Sequence, residues 1–182
     1  MKKVAFFDSD IKIAGDKPSV DVRKNKLKEA AGVNGNNGNV AAAKLVGKLV
    51  AQKFIDDAKN SLDQSFVDYD LLLQRRLLLS FTATVGFEQY ITDETLCGFA
   101  QKSFLDTVKK SDGELYATSS DTGAFSFYYL AFRRGSDIER RMGQTFAMLC
   151  AHDGDPIFQE LGEALYCWFL SVVKKSVQEN IK

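Results

Sequence analysis

Two carboxylates one residue apart, Asp8 and Asp10, follow a short apolar run, Val4-Ala5-Phe6-Phe7. Carboxylates in that arrangement can act as nucleophile and general acid beside a divalent cation; in a hairpin, Asp also serves as a plain turn former. Other residues suited to chemistry are scarce. The single histidine, His152, is the one residue on which a His-based triad could be built, and a multi-histidine metal site is excluded. It falls at a predicted helix C-terminus, where an imidazole suits the helix dipole and can bond terminal carbonyls. No Glu stands three residues before it, so the Glu-x-x-His signature of di-iron bundles is absent. Cys97, Cys150 and Cys167 are far apart among apolar neighbours, with neither a disulfide framework nor zinc spacing. They read as buried free thiols in a reducing compartment. No metal and no cofactor is expected.

The apolar run followed by Asp8-Ser9-Asp10 resembles the first motif of the haloacid dehalogenase-like phosphohydrolases. The resemblance implies an Mg²⁺-dependent phosphohydrolase in which Asp8 attacks and Asp10 donates the proton. Gly154-Asp155 with Glu160 is similar to the acidic metal motif of that family, and Thr82 or Ser80 to its hydroxyl motif. It also implies a parallel sheet of alternating strands and helices. The segments of this chain instead carry helical spacing and helix caps, and Lys12 stands where the family has a small hydroxyl residue.

The most unusual local feature is Phe125-Ser126-Phe127-Tyr128-Tyr129-Leu130-Ala131-Phe132, followed by Arg133-Arg134. At helical spacing Phe125, Tyr128, Tyr129 and Phe132 share one face, and Phe127 points elsewhere. Such a face is the wall of a ligand pocket, a subunit interface rich in Tyr, Phe and Arg, or the surface of a central helix buried on nearly all sides. Arg133 or Arg134 meeting Arg140 or Arg141 across Gly135 would make an anion site. The basic pairs Arg75-Arg76, Arg133-Arg134, Arg140-Arg141 and Lys174-Lys175 otherwise belong to solvated faces whose aliphatic stems flank apolar stripes.

The elements that must position these residues are helical. Gly32-Val33-Asn34-Gly35-Asn36-Asn37-Gly38-Asn39 marks a boundary, because Gly and Asn at this density resist a helix. Residues 1–39 are therefore an N-terminal appendage and linker, either a short hairpin and a basic helix or a segment partly disordered alone and ordered by a partner, and residues 40–182 are the main domain. There, Leu45, Val46, Leu49, Val50, Phe54 and Ile55 form the stripe of a first helix running to about Lys59. Ser61 and Gln64 match a capping box for a second, reaching Tyr90 with a bend or break near Gly86. Thr92-Asp93 caps a third helix, Glu94 to Lys110. A fourth covers Ala124 to Arg134, a fifth opens at the capping box Ser136 to Glu139, and the last opens at Asp155-Pro156. Its apolar residues Ile157, Phe158, Leu161, Leu165, Trp168, Phe169, Val172 and Val173 require a partner surface. The fold class is all-α: an antiparallel bundle of about six helices.

Composition limits the function classes. The 24 basic and 24 acidic residues cancel, so no overall field draws the chain to nucleic acid or to an anionic membrane. Residues 1–38 hold eight Lys or Arg against five acids, a small excess. No stretch approaches the apolar length of a membrane span, and the apolar run after Lys3 is too short for a signal-peptide core. These features predict a cytoplasmic, bacterial-type, non-enzymatic binding or interaction protein, self-associating through the aromatic helix face or taking a protein partner or small-molecule ligand. The phosphohydrolase is the alternative, and an effector-binding regulatory domain with a basic tail is the second.

Overall fold

The computed structural model describes residues 37–62, 69–121, 123 and 125–181, all within the unit Asn34–Lys182. They form an all-α bundle with seven helices among the described residues: α1 (Asn37–Leu62), α2 (Tyr69–Tyr90), α3 (Glu94–Ser111), α4 (Gly113–Ser120), α5 (Ser126–Arg133), α6 (Ile138–Leu149) and α7 (Pro156–Asn180). The expected hairpin and basic helix of the N-terminal appendage lie outside the described residues. No helix among the described residues is long and apolar enough to cross a membrane.

The central element is α2. Leu77 to Ala83 and Val85 to Phe87 are buried without interruption, so this part of the helix faces protein on every side. Its buried hydroxyls turn back on the main chain: Thr82 Oγ1 donates to the Leu78 carbonyl at 2.7 Å and Ser80 Oγ to the Ser119 carbonyl at 3.3 Å. Each satisfies a donor that would otherwise be stranded without water. The expected break at Gly86 does not occur. That glycine lies against α7, where an added Cβ would come within 2.9 Å of Val173 Cγ1.

Around α2, α1 packs on α3 and α6 on α7, and α7 also lies on α1 and α2. The Phe54 and Phe104 rings join α1 to α3 at 5.6 Å between centroids, and Phe54 meets Phe169 of α7 at 6.3 Å. The phase of α1 differs from the expected stripe. Ala43, Val46, Val50, Ala51, Phe54, Ile55 and Ala58 point inward, whereas Leu45 and Leu49 are 45% and 41% exposed. The cause is the tight α1–α3 approach, which admits glycine and alanine but no leucine: a Cβ on Gly47 would collide with the Ala100 carbonyl oxygen. α1 also starts at Asn37, inside the Gly/Asn-rich run expected to precede it.

Two expected caps form and two do not. Asp93 accepts from the amides of Thr95 and Leu96 at 2.8 and 3.0 Å, and Asp155 from Ile157 at 2.9 Å ahead of Pro156. Ser61 instead ends α1, donating to the Asp57 carbonyl at 2.8 Å. At α6 the cap residue is Asp137, left-handed at φ 50 and without a side-chain cap bond, while Ser136 Oγ accepts from Arg141 Nη2 at 3.1 Å. α4 is the additional helix. Asp112 closes α3 through its amide and opens α4 through its carboxylate, which accepts from Glu114 and Leu115. With only Leu115 and Ser119 buried, α4 carries too little apolar periodicity to be predicted.

Two glycines separate packing from propensity. Gly47→Ala should destabilise the bundle by about 3 kcal/mol, since backbone has to move. Gly98→Ala, in α3 with nothing within 4 Å of an added Cβ, should stabilise it by about 0.8 kcal/mol through helix propensity. Urea unfolding monitored by circular dichroism checks both signs.

Candidate functional site

The aromatic face of α5 is buried around one ring of α2. Phe81 meets Phe125 at 5.8 Å, Tyr128 at 5.5 Å, Tyr129 at 5.1 Å and Phe132 at 6.2 Å between centroids. Three of the four contacts are edge-on, and Tyr128 lies stacked, the arrangements that ring quadrupoles favour. The four predicted residues are thus brought together, with Phe125 and Tyr128 fully inside and Tyr129 and Phe132 half-buried. Phe125 and Tyr128 belong to the hydrophobic core, and Tyr129 and Phe132 pack against it. The opposite face of α5 is open: Phe127 is 52% and Leu130 60% exposed. Arg133 and Arg134 follow on the surface, and Arg140 is exposed on the first turn of α6.

Tyr128 carries a conflict. Among the described residues its hydroxyl is buried without a hydrogen-bond partner, and burial, then the nearby Cys150 thiol, push its pKa well above the ordinary phenol range. Burial likewise raises Tyr166 from 10.0 to about 12, with Glu139 adding to it, and Cys97 from 9.0 to about 11, helped by Glu88 and Glu94. Cys167 is also raised, by burial first. All three cysteines are free, as the sequence predicts; Cys97 and Cys150 are buried and Cys167 is half-buried. The thiolate is the nucleophilic form, so Cys97 is a poor nucleophile.

His152 ends α6 through its main chain rather than its ring. Its amide donates to the Ala147 carbonyl at 2.9 Å and the Ala151 amide to Met148 at 3.1 Å. With Ala151 left-handed at φ 59, this is a Schellman termination. The imidazole stacks on Phe158 at 3.6 Å and 7° between planes, with Nδ1 3.8 Å from Asp155 Oδ2.

Residues named by the phosphohydrolase resemblance have structural duties here. Asp155 caps α7, Thr82 and Ser80 bond main-chain carbonyls inside the core, and Glu160 is exposed. Asp8 and Asp10 lie outside the described residues, and the parallel sheet the family implies does not occur among the described residues. Nor does any group of three or more His, Cys, Asp or Glu among them suit a metal ion.

A second site, absent from the sequence predictions, lies between the end of α1, the start of α2, and α6 and α7. A cavity of about 300 Å³ has Asp57, Asn60, Ser61 and Arg75 on its polar side and Leu71, Leu72, Phe146, Leu161 and Leu165 on its apolar side. Arg75 grips Asp57 with both arms, Nε to Oδ2 at 2.9 Å and Nη2 to Oδ1 at 2.6 Å, the planar fork matching the carboxylate. The side chains are 27% and 13% exposed, so water screens the pair only in part. Arg75 and Asp57 sit on different helices, and no local motif announces their meeting. The one sequence signal was Arg75-Arg76 inside an otherwise apolar run.

In comparisons with known proteins, the chain matches no family, no curated protein and no solved structure.

Two predictions follow from the buried hydroxyls and thiol. Tyr128→Phe removes an unpartnered donor and should raise stability by about 1 kcal/mol in urea unfolding. The unfolded chain gives up its thiol and phenol protons first. The stability these two groups contribute is therefore whole below about pH 9 and declines through the window from 9.0 to about 11 for Cys97 and from 10.0 to about 12 for Tyr166. Urea midpoints should fall across that range, and Tyr166→Phe should make the fall shallower above pH 10.

Proposed function

We propose that this chain is a non-enzymatic interaction protein that self-associates through the outward face of α5. The observation that carries the reading is the pairing of Phe127 and Leu130 on one exposed helical face. Residues three apart are neighbours on a helix surface, so the two make one apolar spot. Arg133 and Arg134 beside it supply the residue type that, with aromatics, dominates interface energetics. Because Phe125, Tyr128, Tyr129 and Phe132 are anchored on Phe81, the helix presents Phe127 and Leu130 from a rigid base, which lowers the entropy lost on association. The interface is narrower than the whole aromatic run: a core face holds the helix, and two outward residues meet the partner copy.

The wild-type protein should sediment as a dimer in analytical ultracentrifugation. Phe127→Asp or Leu130→Asp should weaken dimerisation by about 2 kcal/mol, roughly thirtyfold in Kd, with helix content unchanged. A wild type that stays monomeric at its highest soluble concentration overturns the reading, as does a dimer indifferent to both substitutions.

A further inference from the structure

We propose that the cavity between α1, α2, α6 and α7 is a binding site for a small uncharged amphipathic molecule carrying a hydroxyl, amide or carbonyl group. The polar wall decides the charge. Arg75 and Asp57 already neutralise each other through two hydrogen bonds of 2.9 and 2.6 Å. An anion approaching Arg75 meets Asp57 in the same pair, and a cation approaching Asp57 meets Arg75. Either ion would give up hydration without gaining an unpaired counter-charge.

A neutral polar group finds matching partners instead. The Arg75–Asp57 pair uses Nε and Nη2 of the guanidinium, and among the described residues the Nη1 donors are left over. Ser61 gives its proton to the Asp57 carbonyl at 2.8 Å, so its oxygen is set to accept. The Asn60 carboxamide, also on this wall, both donates and accepts. A hydroxyl or amide can both donate and accept on such a wall. Leu72, Leu161 and Leu165 in the same lining offer a hydrocarbon surface, which takes the apolar part through the hydrophobic effect. The volume of about 300 Å³ sits at the lower end of ligand pockets, roughly 300–1,000 Å³, so the occupant is fragment-sized.

The test is an NMR titration of the ¹⁵N-labelled full chain with hexan-1-ol, with hexanoate and hexylammonium as ions of equal chain length. Hexan-1-ol should shift resonances of Asn60, Ser61, Arg75 and Leu161, and each ion should bind at least about tenfold more weakly. Leu161→Phe, which fills the cavity from a half-buried position, should abolish the hexan-1-ol shifts. Leu72→Phe repeats the test from α2 if the first variant loses its helical circular dichroism. The proposal is overturned if either ion binds as well as the alcohol, if hexan-1-ol shifts are absent or scattered over the surface, or if they survive in a folded, filled variant. None of these outcomes depends on the oligomeric state, so this site and the α5 interface stand or fall separately.

Discussion

The bundle depends on burying the middle of α2 on every side. From Leu77 to Phe87 only Thr84 is less than fully buried. An ordinary amphipathic helix needs one partner surface, whereas a helix buried all round needs a ring of them. α1, α3, α4, α6 and α7 supply most of that ring through direct packing, and α5 completes it through the four rings around Phe81. Within that enclosed segment Ser80 and Thr82 obey the same constraint, with their protons placed on carbonyl oxygens.

Both surfaces singled out above follow from where that burial stops. α5 is eight residues long, too short to be stable alone in water, so its inward rings are what keep it helical. Its outward residues are held in place by contacts they do not themselves make. At the other end of α2, residues 71–76 are only half-buried. There the helix can accommodate Arg75, whose charge the fully enclosed segment could not accept, and Asp57 on α1 meets it. The cavity lies at this transition, with Asp57, Asn60, Ser61 and Arg75 supplying its polar lining and leucines of α2 and α7 with Phe146 of α6 its apolar lining.

Helix existence and several boundaries were legible in the residues, because caps and stops are local chemistry: Asp93, Asp155-Pro156 and Gly135 act within one turn of where they stand. Phase was less legible. In α1, leucines 45 and 49 look as apolar as valines 46 and 50, and the choice between them is made by Gly47 meeting Ala100 of α3, a contact between segments far apart in the chain. Capping boxes at Ser61 and Ser136 matched the pattern but lost to other partners, the Asp57 carbonyl and the Arg141 guanidinium. The shared aromatic face of α5 was legible from its spacing, while its target, Phe81, was not. The Arg75–Asp57 pair was invisible for the same reason: a tertiary ion pair leaves no periodic trace.

The apolar floor of the cavity shows how backbone close approach can shape a site. Phe146 of α6 lies on α7 because residue 162 is glycine; a Cβ there would stand 2.5 Å from Phe146 Cβ and 2.8 Å from its ring. One turn earlier on α6, Gly143 admits the Gln159 carbonyl in the same manner. The Schellman turn at Ala151 and the stacking of His152 on Phe158 hold the connection between the two helices. Leu161 and Leu165 lie beside Gly162 on α7 and line the cavity with Phe146, so the glycine that seats Phe146 belongs to the same stretch of helix that supplies the leucines.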